Sequence, residues 1–169
     1  MKVLVTYYSE TGNTEKLARA IFEGIRGKKV QKDILPMSEV KDLEEYGLIF
    51  CGFPVHASSV PRKVEPFLKG IPKDKLLAIF STHGSLRGGQ LAVHAFEYAL
   101  SLAAKAKIIG TFGCRGKVKH SLIEALMKKP EHRAWAEEAQ SSVHHHPDDA
   151  DFEDGRDFAK KMIKKALDL

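Results

Sequence analysis

Cysteine is scarce: Cys51 and Cys114 are the only two in 169 residues, too few and too far apart for a disulfide framework or a cysteine metal site. A reducing, cytoplasmic setting is therefore the expectation. No apolar run approaches the roughly 18 residues needed to cross a bilayer, so no membrane span is expected. The opening segment, Met1 to Tyr8, has too short an apolar stretch for a secretory leader and lacks a small-residue cleavage site. It reads as a first strand. Also missing is a basic stripe interleaved with aromatics, which argues against nucleic acid as a partner. The 27 lysines and arginines outnumber the 22 acidic residues, for a formal charge of +5 and a pI near 9.1. They are spread, however, over Arg26 to Lys32, Arg115 to Lys119, Lys128-Lys129 and Arg156 to Lys165. A solvated basic exterior is the simplest reading. An acidic protein partner is the natural guess if that charge serves docking.

What is present fits one soluble domain spanning residues 1–169, with 43% hydrophobic and 29% charged residues. Short β-rich runs occur at Val3 to Tyr8, Val30 to Leu35, Leu48 to Phe53, Leu76 to Ser81 and Ile108 to Cys114. Three of them are nearly continuous in apolar side chains, as strands buried on both faces are. Helical spacing fills the intervals. Leu17, Ala20, Ile21, Gly24 and Ile25 form one stripe, with Gly27 as its expected end. A second helix is expected from Ser59 with Pro61 just inside, a third from Gly89 to Lys105 on Leu91, Ala95, Ala99 and Leu102. The last helix begins acidic and ends in lysines, which suits the helix dipole, and buries Phe158, Ala159, Met162, Ile163 and Ala166. This alternation predicts an α/β fold, a doubly wound parallel sheet with helices on both faces. The stretch from about 115 to 150 is an elaboration before the final helix, with helical pieces around Ser121 to Lys128 and Glu131 to Gln140.

In doubly wound sheets, ligands sit beyond the carboxyl ends of the strands, where the winding reverses. The segment after the first strand reads Ser9-Glu10-Thr11-Gly12-Asn13-Thr14 and runs straight into a helix. Hydroxyls together with the open N–H groups of a helix start can surround a phosphate, and the dipole adds attraction. Gly12 permits close backbone approach. The loop has no Gly-Lys-Ser/Thr ending for a nucleoside triphosphate and no Gly-x-Gly-x-x-Gly for a dinucleotide. It also has no lysine or arginine, so neutral donors would hold the anion, which suits a stably bound cofactor. The plainer alternative makes Thr11 or Asn13 a helix cap and Ser9 a turn residue.

These six residues resemble the Ser/Thr-x-Thr-Gly-Asn-Thr fingerprint of flavodoxins. The resemblance extends over most of the chain in length and element order. It implies a five-stranded sheet in the order 2-1-3-4-5, FMN as cofactor, and phosphate contacts from Ser9, Thr11, Gly12, Asn13 and Thr14, with Glu10 in the same loop. It also implies that two later loops enclose the flavin ring: one containing Pro54, Val55, His56 and Ala57, the other Ser81, Thr82, His83, Gly84, Gly88 and Gly89. Neither carries Trp or Tyr, so Phe53 and His56 are the nearest substitutes. For His56 and His83 the alternative is a solvent-facing loop histidine. A charged His83 at the flavin edge would favour the reduced, anionic flavin. The basic pI and the 115–150 elaboration depart from the usual acidic, short flavodoxin and leave the partner open.

Elsewhere, Cys51 and Cys114 read as buried inert thiols and Trp135 as a packing residue. His144-His145-His146 reads as a loop, with no metal expected there. No nucleophile triad can be argued from spacing, so no catalytic residue is expected. Three functions compete: an electron carrier between a reductase and an acceptor oxidoreductase, an FMN-dependent NAD(P)H, quinone or porphyrinogen oxidoreductase, and a flavin-responsive regulatory module.

Overall fold

The computed structural model describes residues 1–84, 89–116, 120–142 and 146–169. Five strands, β1 (Lys2–Tyr7), β2 (Gln31–Pro36), β3 (Leu48–Pro54), β4 (Leu76–His83) and β5 (Lys107–Arg115), form one parallel sheet in the order β2-β1-β3-β4-β5. The expected strand order is therefore present. Each continuous apolar run supplies both faces of the sheet. From β1, Val3, Val5 and Tyr7 enter one core while Leu4 enters the other; from β3, Leu48 and Phe50 oppose Ile49, Cys51 and Phe53 in the same way. Each large side chain so buried contributes about 1.5–3 kcal/mol, which is why the apolar runs define the central strands.

Helices α1 (Asn13–Gly24) and α6 (Asp149–Leu167) cover the first face, α2 (Glu65–Lys69) and α3 (Gln90–Leu102) the second. On α6, Phe158 and Ala159 are buried, and the Phe158 ring packs edge-on to Phe50 at 6.0 Å and stacked on Phe112 at 5.4 Å. Helix α1 stops at Gly24 rather than Gly27. A Cβ at Gly24 would strike the backbone carbonyl of Arg156 on α6, so the two helices cross at contact distance there. Another helix expectation shifts. The second helix starts at Glu65, not Ser59, because Pro66 has no N–H and fits only in a first turn. On α3, Ala92, Ala95 and Ala99 are buried, as is the cap residue Ala103, and Leu102 packs against the same core.

The elaboration is a helical hairpin of α4 (His120–Met127) and α5 (Arg133–Ser142), joined by a short 3-10 turn at Pro130–His132. It has its own small core of Ile123 and Ala136, with Leu126, Met127 and the packing residue Trp135 against them. Strand β5 ends and α6 begins at the same edge of the sheet, so the hairpin projects from the carboxyl ends of the strands. Among the described residues, no helix is long and apolar enough to cross a membrane.

Candidate functional site

Strand β1 has β2 on one side and β3 on the other, so the winding reverses between β1 and β3 and opens a crevice beyond their carboxyl ends. The 9–14 loop lies there. Gly12 holds φ 85° and ψ −9°, a left-handed conformation that costs a residue with a β-carbon about 1–2 kcal/mol. Its N–H donates to Ser9 Oγ at 3.1 Å, and its carbonyl accepts from Lys16 N at 2.9 Å. Gly12 is itself the cap residue of α1, and it has no side chain to bond the helix amides. Gly12, rather than Thr11 or Asn13, is thus the cap residue, while Ser9 takes the turn role of the plainer alternative by accepting from Gly12 N. Thr14 is buried, and its Oγ1 lies 2.9 Å from Thr82 Oγ1, which ties the loop to the end of β4. A β-carbon at Gly12 would meet nothing within 4 Å. The loop thus places the positive end of α1 beside hydroxyl-bearing residues, with open space next to Gly12.

The first ring loop is fastened on both sides. Tyr8 N donates to Gly52 O at 2.9 Å, and Val55 N to Thr82 O at 2.8 Å. Pro54 ends β3 opposite Thr82. His56 and Ser59 exchange backbone hydrogen bonds at 3.0 and 2.8 Å, which forces Ala57 and Ser58 into positive φ of 45° and 62°. His56 is half-exposed, with Nε2 at 3.7 Å from Glu10 Oε2. Glu10 also accepts from the Tyr8 hydroxyl at 2.8 Å, a bond that raises the Tyr8 pKa. Within the 9–14 segment, Glu10 is thus the residue that reaches across to the 54–57 loop.

The second ring loop begins later than expected. Ser81, Thr82 and His83 are the last residues of β4, all buried, because β4 pairs with β5 as far as His83 opposite Arg115. Strand alternation sends Thr82 toward α1 and His83 toward α3. His83 is 3% exposed, so the solvent-facing reading is corrected. Its ring lies against Gly113, where a β-carbon would sit 2.9 Å from Nε2. Ser81 Oγ is fully buried and has no hydrogen-bond partner among the described residues. Gly84 and Gly89 are half-buried, while Gly88 lies outside the described residues. Cys51 and Cys114 are buried and not joined in a disulfide, and burial pushes the Cys51 thiol pKa up.

Two residues at this edge escaped sequence reasoning. Tyr8 is an aromatic at the mouth of the crevice, hidden from a search confined to the two later loops. Gly116 donates to His83 O at 2.9 Å, and a β-carbon on it would lie 3.1 Å from Thr82 Cβ and 3.7 Å from Asn13 Nδ2. That glycine lets the chain leaving β5 pass beside the 9–14 loop. Only its position after β5 could have signalled it.

A flavodoxin domain model matches residues 4–160. The flavodoxin-like domain-containing protein BilS of Clostridioides difficile (strain CD3) is 32% identical, and the alignment covers 98% of each chain. An NAD(P)H dehydrogenase (quinone) of Paraburkholderia phymatum is 30% identical over 53% of this chain and 60% of its own length. A flavodoxin from the domain Archaea superposes with a TM-score of 0.65 over 99% of both chains at 19% identity, a likeness of fold. With the phosphate-type loop standing at the switch point of a 2-1-3-4-5 sheet, this chain belongs to the flavodoxin domain family.

Proposed function

We propose that the protein is an FMN-dependent electron carrier that accepts electrons from a reductase and delivers them to an acceptor oxidoreductase. The observation that carries this reading is Gly12 at positive φ as the cap residue of α1, in the hydroxyl-bearing 9–14 loop at the switch point of the sheet. Bound there, FMN supplies one- and two-electron chemistry that no side chain provides. The amides and hydroxyls of residues 9–14 hold its phosphate. The backbone of the 54–57 turn and of Gly84 and Gly89 borders the flavin ring, and Tyr8 and His56 provide its aromatic neighbours. No charged side chain faces the phosphate from within the loop except Glu10, whose carboxylate is engaged by Tyr8. Phosphoryl transfer lacks its usual cation in such a loop.

The partner docks on the edge where the ring loops lie. Arg62 and Lys63, both exposed, follow the 54–60 turn directly and give an acidic partner its contact points. The lysines ending α6 lie at the opposite pole. A 19-residue helix is about 28 Å long, several Debye lengths at physiological salt. Those lysines therefore act outside the docking edge.

The quinone dehydrogenase relative and the helical hairpin that follows β5 support a second reading, an oxidoreductase that closes its own substrate pocket. One experiment separates them. The purified chain is loaded with one FMN and mixed anaerobically with NADH or NADPH. Bleaching only after a separate reductase is added fits the carrier; rapid bleaching by the nucleotide alone refutes it in favour of the enzyme.

A further inference from the structure

The return from the hairpin into α6 carries a cluster that the flavin site does not use. His146, Asp148 and Asp151 each offer one donor atom, and the three atoms lie within 4.8 Å of one another. His146 Nδ1 is 2.7 Å from Asp151 Oδ2 and 3.7 Å from Asp148 Oδ2. We propose that these three side chains form a binding site for a borderline first-row divalent cation, Zn2+ being the archetype, which fastens the 146–148 turn to the first turn of α6.

Zinc bonds to nitrogen and carboxylate oxygen run about 2.0–2.2 Å, which sets neighbouring ligand atoms in a tetrahedron about 3.3 Å apart. The two histidine–carboxylate separations, 2.7 and 3.7 Å, bracket that edge, and the third pair lies within 4.8 Å, so small side-chain adjustments admit the ion. The cation replaces the proton shared between Nδ1 and Oδ2, and that proton leaves Nδ1 for Nε2 or solvent. Helix capping and metal binding are compatible here. Asp148 Oδ1 accepts from Asp151 N at 3.0 Å, which leaves Asp148 Oδ2 to the site. Asp151 Oδ2 accepts from Asp148 N at 3.1 Å and keeps further lone pairs. The positive end of the α6 dipole, equivalent to about half a charge, opposes a cation, but two carboxylates outweigh it. One imidazole with two carboxylates favours zinc, cobalt or nickel over magnesium and calcium, which take all-oxygen shells. The His146 and Asp148 side chains are 27% and 43% exposed, so a hydrated ion can enter and water can fill the remaining position.

Equilibrium dialysis of the FMN-loaded full chain against Zn2+, read by metal analysis, tests the site. Retention of one Zn2+ per chain in a large excess of Mg2+ is expected. His146→Gln removes a ligand while leaving both capping bonds, and should weaken binding at least tenfold with helix content unchanged by circular dichroism. The double variant His144→Gln/His145→Gln should retain the ion. Failure of the wild type to hold Zn2+, or equal retention by His146→Gln, overturns the proposal. So does loss in the double variant with retention in His146→Gln, which would assign the metal to the histidine tract.

Discussion

Replacing Gly12 by alanine separates two costs that the 9–14 loop combines. In the free protein the new methyl meets no atom within 4 Å, so the penalty there is conformational. At φ 85° that penalty is about 1–2 kcal/mol. For a chain of this size each kcal/mol lowers Tm by roughly 2–4 °C. In the complex the methyl stands where the phosphate approaches the helix amides. Losing a charge-assisted hydrogen bond costs about 1.5–3 kcal/mol. That converts to a roughly 10- to 150-fold weaker Kd for FMN. Riboflavin has no phosphate and should bind both proteins alike. Fluorescence titration of the apoprotein with each flavin gives the ratio directly. If Gly12→Ala weakens FMN and riboflavin equally, or weakens neither, the loop does not hold the phosphate.

Other substitutions probe the frame around the site. Ala57→Gly relieves a positive φ of 45° and should raise Tm by a few degrees, about 0.5–1 kcal/mol, in a thermal melt of the apoprotein. Gly24→Ala drives a methyl into the Arg156 carbonyl at the α1–α6 crossing and should cost at least about 1–3 kcal/mol in urea unfolding. Thr82→Val leaves the buried Thr14 hydroxyl without its partner and should cost about 1–3 kcal/mol by the same measurement. Asp33 has its pKa lowered, first by the Tyr46 hydroxyl and then by Lys2. A depressed folded-state pKa stabilises above the ordinary carboxylate value, and that stability is lost as pH falls through the folded one. Asp33→Asn should therefore be the less stable protein at neutral pH, by under about 1 kcal/mol for so exposed a pair, and the two unfolding curves should converge in acid.

The parts of the fold that a sequence reveals are those set by local chemistry. The continuous apolar runs at Leu48 to Phe53 and Leu76 to Phe80 announce strands covered on both faces, and each is covered on both faces. That residues 9–14 turn into a helix was legible because a glycine and the start of α1 fall within six residues. What stayed hidden depends on partners distant in sequence. The need for glycine at position 24 comes from Arg156, 132 positions on, whose backbone lies across it. His83 looks like a loop residue until β5 is seen to pair with β4 as far as Arg115. The start of α2 was a local error, since Pro66 at its first turn is a boundary that the sequence displays. The His146, Asp148 and Asp151 cluster is invisible at the spacings of known metal tracts. A tight turn at the helix cap gathers it.

Everything in the functional account rests on where the FMN phosphate binds. A crystal structure of the FMN complex measures that directly. The account predicts the phosphate at the start of α1, accepting hydrogen bonds from residues 9–14, with the ring between the 54–57 turn and the end of β4. A phosphate bound anywhere else, with the α1 amides facing solvent, contradicts it.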